Sequence, residues 1–223
     1  MRLSRSAVAF ASSFVALSLS MGVFAQADNS PAGVSGAHSV GVIAPIFSQL
    51  VYFHAPANFV SVFENTLGDH YIHEWVLPGE SVSNWTQMLT VTGAQDVSAK
   101  HPDASPKAFV SGIANGFQRA CPSSFAAKGI FDGQLNARDA FIMVVSCGNA
   151  AASAGHSETA VIAVIKGEKD FYTLQWSQRG DATSTPMDID VNMWAGKMKS
   201  LMPLKLCSLI PGEQPPYPSC VGH

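Results

Sequence analysis

The run Asp139–Gly148, DAFIMVVSCG, restricts the fold more than any other part of the chain. It shows no alternation of polar and apolar residues. An apolar run this short, bounded by turn residues, is a strand covered on both faces. The next segment, ETAVIAVIKGEKDFYTLQWSQRG (158–180), reads as two more strands joined at Lys166-Gly167-Glu168-Lys169, a hairpin. A sheet built on such strands needs apolar cover above and below.

Two helices are placed to provide it. Ser105 can cap the first, with Pro106 at its opening position, where the missing N–H costs nothing. Phe109, Val110, Ile113, Ala114 and Phe117 form one apolar stripe, and the helix stops near Cys121-Pro122. Gly112 and Gly116, four apart, are read as letting this helix approach the sheet closely. The second helix is expected to begin near Thr185-Pro186. Asp188 and Asp190 sit in its first turn, Lys197 and Lys199 near its end, and Val191, Trp194, Met198 and Leu201 form its buried face.

The first half of the chain is richer in strands. Gln49–His54 is strand-like. NFVSVFEN is either a short extended piece or one helical turn. Tyr71, His73, Trp75 and Leu77 alternate with Ile72, Glu74 and Val76, a strand ending at Pro78-Gly79, and NWTQMLTVTG is another. No repeat or linker appears. The expected class is α+β: a mostly antiparallel sheet flanked by two main helices, one domain over residues 48–223.

The first 27 residues read as a secretory signal peptide: Arg2 and Arg5, an apolar run from about Ala7 to Val23, then Ala25-Gln26-Ala27. Residues 28–47 read as a flexible arm. Cleavage after Ala27 leaves 196 of the 223 residues, and losing Arg2 and Arg5 takes the formal charge from −3 to −5. A mildly acidic chain with no basic run argues against nucleic acid and anionic membranes. The expected location is the periplasm or outside the cell. There the four cysteines, Cys121, Cys147, Cys207 and Cys220, form two disulfides. Three pairings exist. Cys121–Cys147 with Cys207–Cys220 is favoured, tying a helix end to a strand and the Pro-rich tail to the body, for about 3 kcal/mol each.

The chemistry-bearing motifs are sparse. DHYIHEW (69–75) places two histidines three apart between carboxylates. On a helix, His70, His73 and Glu74 would share a face as metal ligands must, but on a strand His70 and His73 point to opposite faces. The order His-x-x-His-Glu also misses the zinc-enzyme patterns. These three remain weak metal candidates, and no metal or other cofactor is expected. No Gly-x-Ser-x-Gly nucleophile motif or phosphate loop is present. Asn84-Trp85-Thr86 matches a glycosylation sequon and is read as a chance match. Trp75, Trp85 and Trp176 on expected strands, with Arg179 after the last, are the candidate binding residues; Trp194 is read as core.

The segment HEWVLPGESVSNWTQMLTVTG, with Pro78-Gly79-Glu80 and Asn84-Trp85-Thr86, resembles a hairpin of small secreted bacterial proteins of unknown function. The order of helices and strands resembles the PsbP-like α/β/α sandwich, an architecture that implies accessory or binding roles. No site residue is carried over from it. The expected function is a non-enzymatic periplasmic or secreted protein that binds a protein partner or envelope component, in one version an immunity or inhibitor protein. The alternative is an envelope hydrolase or metal-dependent enzyme using His70, His73 or Glu74.

Overall fold

The computed structural model describes residues 38–149 and 155–221. The expected signal peptide and half of the expected arm, residues 28–37, lie outside them. In chain order the elements are β1 (Ser39–Ile46), β2 (Gln49–Pro56), β3 (Val60–Leu67), β4 (His70–Val76), β5 (Gln87–Ala94), α1 (Val97–Lys100) and α2 (Pro106–Ala120). There follow β6 (Phe125–Leu135), β7 (Arg138–Cys147), β8 (Ser157–Lys166), β9 (Phe171–Gly180), α3 (Val191–Ser200), β10 (Lys205–Ser208) and α4 (Pro218–Val221).

The fold is α+β with entirely antiparallel pairing. Seven strands form one sheet in the order β3-β4-β5-β9-β8-β7-β6, and three form a second, β1-β2-β10. β8 shows why the central strands lack polar alternation. Val161, Ala163 and Ile165 enter one core with Phe53 of β2 and Trp194 and Met198 of α3. Ala160, Ile162 and Val164 enter a second with Val110 and Ala114 of α2. All six β8 side chains are fully buried. One face of the large sheet is therefore covered by α2, and the other by α3 together with the small sheet.

Several expectations change. The arm expected over residues 28–47 gives way to β1 from Ser39, whose residues pair with β2 from Ser39↔Pro56 to Ile46↔Gln49. Its small residues let it lie against a neighbour: at Gly41 the Tyr52 ring of β2 stands 3.1 Å from where a Cβ would be. NFVSVFEN is an edge strand, β3, not a helical turn. The second helix begins at Val191, not near Thr185-Pro186, because Asp190 is the residue whose side chain accepts from Asn192 N and Met193 N. Ser105 caps α2 as expected, accepting from Ala108 N. Gly112 and Gly116, however, face open space, so close approach to the sheet is not their role. Contact with the sheet comes from Phe109, stacked on Phe171 with ring centroids 4.9 Å apart. The glycine the packing does require is Gly93, where a Cβ would meet Ile46 Cγ2 at 2.6 Å, across the gap between the two sheets.

The cysteines pair as Cys121–Cys147 and Cys207–Cys220. The first joins the end of α2 to the end of β7, beside Phe117 and Phe125. The second joins β10 to α4 and so anchors the Pro-rich tail. Among the described residues no helix is long and apolar enough to cross a membrane.

Candidate functional site

His70, His73 and Glu74 lie on β4, and the strand separates them. Residues 70, 72, 74 and 76 face one side of the sheet, and 71, 73 and 75 the other. His70 is exposed beside Asp69, its Nε2 3.4 Å from Oδ1. Glu74 shares that side, and burial holds its carboxyl above the usual range. His73 turns to the other side and stacks on Trp75 with centroids 3.6 Å apart. Among the described residues no three His, Cys, Asp or Glu side chains converge on a metal position.

His73 instead joins a network across the β3–β4 hairpin. Its Nε2 is 2.8 Å from Ser61 Oγ, and its Nδ1 is 3.3 Å from Tyr71 Oη. Tyr71 Oη donates to Glu64 Oε1 at 2.7 Å. Glu64 Oε2 stands 3.8 Å from His73 Nδ1. Burial lowers the His73 pKa, against the opposing charge of Glu64. Burial, then the hydrogen bond and charge of Glu64, holds the Tyr71 hydroxyl well above its ordinary range.

The binding candidates also divide. Trp176 and Arg179, three apart on β9, project to opposite faces. Trp85 lies in the loop before β5 and packs on Val76 and Met88. The Arg179 guanidinium carbon stands 3.9 Å from the Trp85 ring centroid, and its Nη1 donates to Ser83 O at 3.4 Å. Arg179 thus holds the loop, and its Nε is buried without a partner. The Pro78-Gly79-Glu80 and Asn84-Trp85-Thr86 motif is the clasp of the same loop. Glu80 accepts from Thr86 N at 3.0 Å, from Thr86 Oγ1 at 2.5 Å and from Leu77 N at 3.3 Å. Trp75 meets Phe53 edge to face at 5.9 Å inside the core.

Of the candidates, Arg179 lines a cavity of about 200 Å³ with Gln178, Asp188 and Trp194, and Trp176 faces a larger one. Ser39 of β1, Pro56 of β2, Asn58, Phe59, Leu77, Gln87 of β5, Trp176 and Ser200 of α3 line a cleft of about 410 Å³. Elements of both sheets and a helix converge there, the kind of junction where ligand sites form. Phe59 meets Trp176 edge to face at 5.5 Å. Gln87 Oε1 accepts two hydrogen bonds, from Trp176 Nε1 and from Lys197 Nζ, each 3.1 Å long. Lys197 Nζ stands 4.3 Å from the Trp176 centroid and 5.7 Å from that of Trp194. Burial lowers the pKa of this half-buried amine. None of the carboxylates among the described residues forms an ion pair with it.

Phe59, Gln87 and Lys197 were not found by reading the sequence. Lys197 had a faint signal: it adjoins the Trp194–Met198 stripe on α3, where a charged residue must settle against aromatic surface. Phe59 and Gln87 had none, because only the strand register brings them to Trp176.

Asp170 is a buried charge with a different use. It accepts from Ser48 N at 3.1 Å, Ser48 Oγ at 2.5 Å, Asp96 N at 2.7 Å and Tyr172 Oη at 2.8 Å. Desolvation raises its pKa, but these donors outweigh it and leave the carboxyl below its usual range. It ties the β1–β2 turn, the start of α1 and the β8–β9 hairpin together.

No family model and no curated protein matches the sequence. Among solved structures the chain is similar to a point mutant of the protein Mog1, with TM-score 0.41 and 9% identity over 72% of this chain and 84% of that one. It is likewise similar to the Ran-binding protein Mog1p of Saccharomyces cerevisiae, with TM-score 0.39 and 8% identity over 74% and 86%. Likeness at this level assigns no family and no function.

Proposed function

We propose that the chain is a periplasmic or secreted binding protein, a relative of the PsbP-like sandwich proteins, whose contact site is the Trp176 cleft. The observation that carries this reading is Lys197, a cation held between two indole rings and a glutamine, with no carboxylate among the described residues in an ion pair with it. A partly desolvated ammonium gains most from an anion supplied from outside. Phe59, Leu77, Pro56 and Trp176 offer apolar surface beside it. The arrangement suits a carboxylate next to an apolar side chain, as on an exposed segment of a partner protein. An immunity or inhibitor role is one form of this reading. The signal-like N-terminus read from the sequence and the paired cysteines support the compartment.

The test is capture from an envelope extract by the mature protein, compared with Lys197→Glu. A stoichiometric partner held by the wild type and lost by the variant supports the proposal. Equal capture by both sinks it.

A further inference from the structure

With His73 neutral, the hydrogen bonds of the β3–β4 hairpin have one self-consistent direction. Tyr71 gives its single hydroxyl proton to Glu64 at 2.7 Å. Its oxygen can therefore only accept from His73, which makes Nδ1 the protonated ring nitrogen of neutral His73. Nε2 is then a lone-pair acceptor, and the Ser61 hydroxyl at 2.8 Å is its donor. The chain Ser61→His73→Tyr71→Glu64 is a nucleophile, a base and an orienting pair, the connectivity of an activated hydroxyl.

The surroundings favour the same reading. Stacking on Trp75 fixes the imidazole plane, and the ring is 14% exposed, so it is neither buried away from Ser61 nor free to rotate. Burial lowers the His73 pKa, which keeps the ring neutral, with its Nε2 lone pair free to accept a proton. An imidazolium formed at His73 would stand 3.8 Å from Glu64 Oε2, close enough to be stabilised. Ser61 is exposed and sits next to the β-bulge between Ser61 and Phe63. Bulges re-aim side chains, and this one interrupts an edge strand whose outer N–H groups have no strand partner.

We propose that Ser61 is a nucleophile with His73 as its general base, forming an open acyl-transfer site for small carboxylic esters with a good leaving group. Ser61 Oγ bonds to the ester carbonyl carbon while its proton passes to His73 Nε2. The tetrahedral adduct collapses, the C–O bond to the alcohol breaks, and Nε2–H returns the proton to the departing oxygen. Water, losing a proton to Nε2, then cleaves the acyl-serine to a carboxylic acid and restores Ser61. Tyr71 and Glu64 are positioning residues. The site shares no residue with the Trp176 cleft.

The experiment treats the full mature protein with p-nitrophenyl acetate and, separately, a fluorophosphonate, followed by peptide mapping. The proposal expects one adduct, on Ser61, with the rate of acyl transfer reduced about a hundredfold or more in His73→Gln. Ser61→Ala, an exposed change that leaves the fold intact, abolishes the adduct, and Ser81→Ala, in the neighbouring loop, does not. The rate falls with acidity below the ordinary histidine value of 6.5, and Tyr71→Phe moves that profile. No adduct, an adduct elsewhere, or a rate unchanged in a folded His73→Gln protein overturns the proposal.

Discussion

Lys197 Nζ and Trp176 Nε1 donate to the same atom, Gln87 Oε1, each at 3.1 Å. One amide oxygen thereby fixes an indole of the cleft wall and holds a cation beside it. Removing the amide frees both. Gln87→Leu is expected to leave the fold standing, because Gln87 is only partly buried, and to weaken partner binding about tenfold. Calorimetric titration against the captured partner measures this.

Asp170 should matter to stability rather than binding. Asp170→Asn keeps the shape but swaps a charge accepting four donors for a group that can accept fewer. The expected loss is about 2–4 kcal/mol, read from urea unfolding. The native pKa lies below the ordinary value of 3.8. The stabilisation is thus complete above that value and drains away as pH falls through the native pKa. The wild type should show this acid loss, and the variant should not.

His73 makes the same kind of pH demand in a higher pH range. Its native pKa is lowered, chiefly by burial. The unfolded chain therefore takes up a proton first, near 6.5, and stability declines as pH drops below that value toward the native pKa. His73→Gln should flatten this part of the stability–pH curve. An unchanged slope in the variant would show that another group is responsible.

The two disulfides differ in what they hold. Replacing Cys207 and Cys220 by serine should cost about 3 kcal/mol and open the tail after β10 to proteolysis. Replacing Cys121 and Cys147 by alanine should cost at least as much, since that pair is buried between α2 and β7. Limited proteolysis with mass mapping should cut the tail in the first variant and spare it in the second.

The central sheet could be read from the sequence because burial on both faces leaves a composition with no alternative: VIAVI and FIMVV have nowhere to sit but between two layers. Cap residues told the start of α2 equally well. The small sheet could not be read so. β1 interleaves Val40, Val42, Ile43 and Ile46 with Gly41, Ala44 and Pro45, which break the strand signal, and follows directly on a small, polar lead-in, and β10 is four residues long. The opposite faces of His70 and His73 followed from the two-residue period. The partnership of His73 with Ser61 and Glu64 did not, since it depends on the register of β3 against β4. The cleft was hidden for the same reason: of its residues only Trp176 stood out by type, and the others reach it by register and helix placement.

The most direct test of the binding account is the affinity of the captured partner for three proteins: the wild type, Lys197→Arg and Lys197→Glu. The account predicts that the partner binds the wild type, keeps most of its affinity for the arginine variant, and loses at least about tenfold when the charge is reversed. Equal affinity for all three would place the contact elsewhere on the molecule.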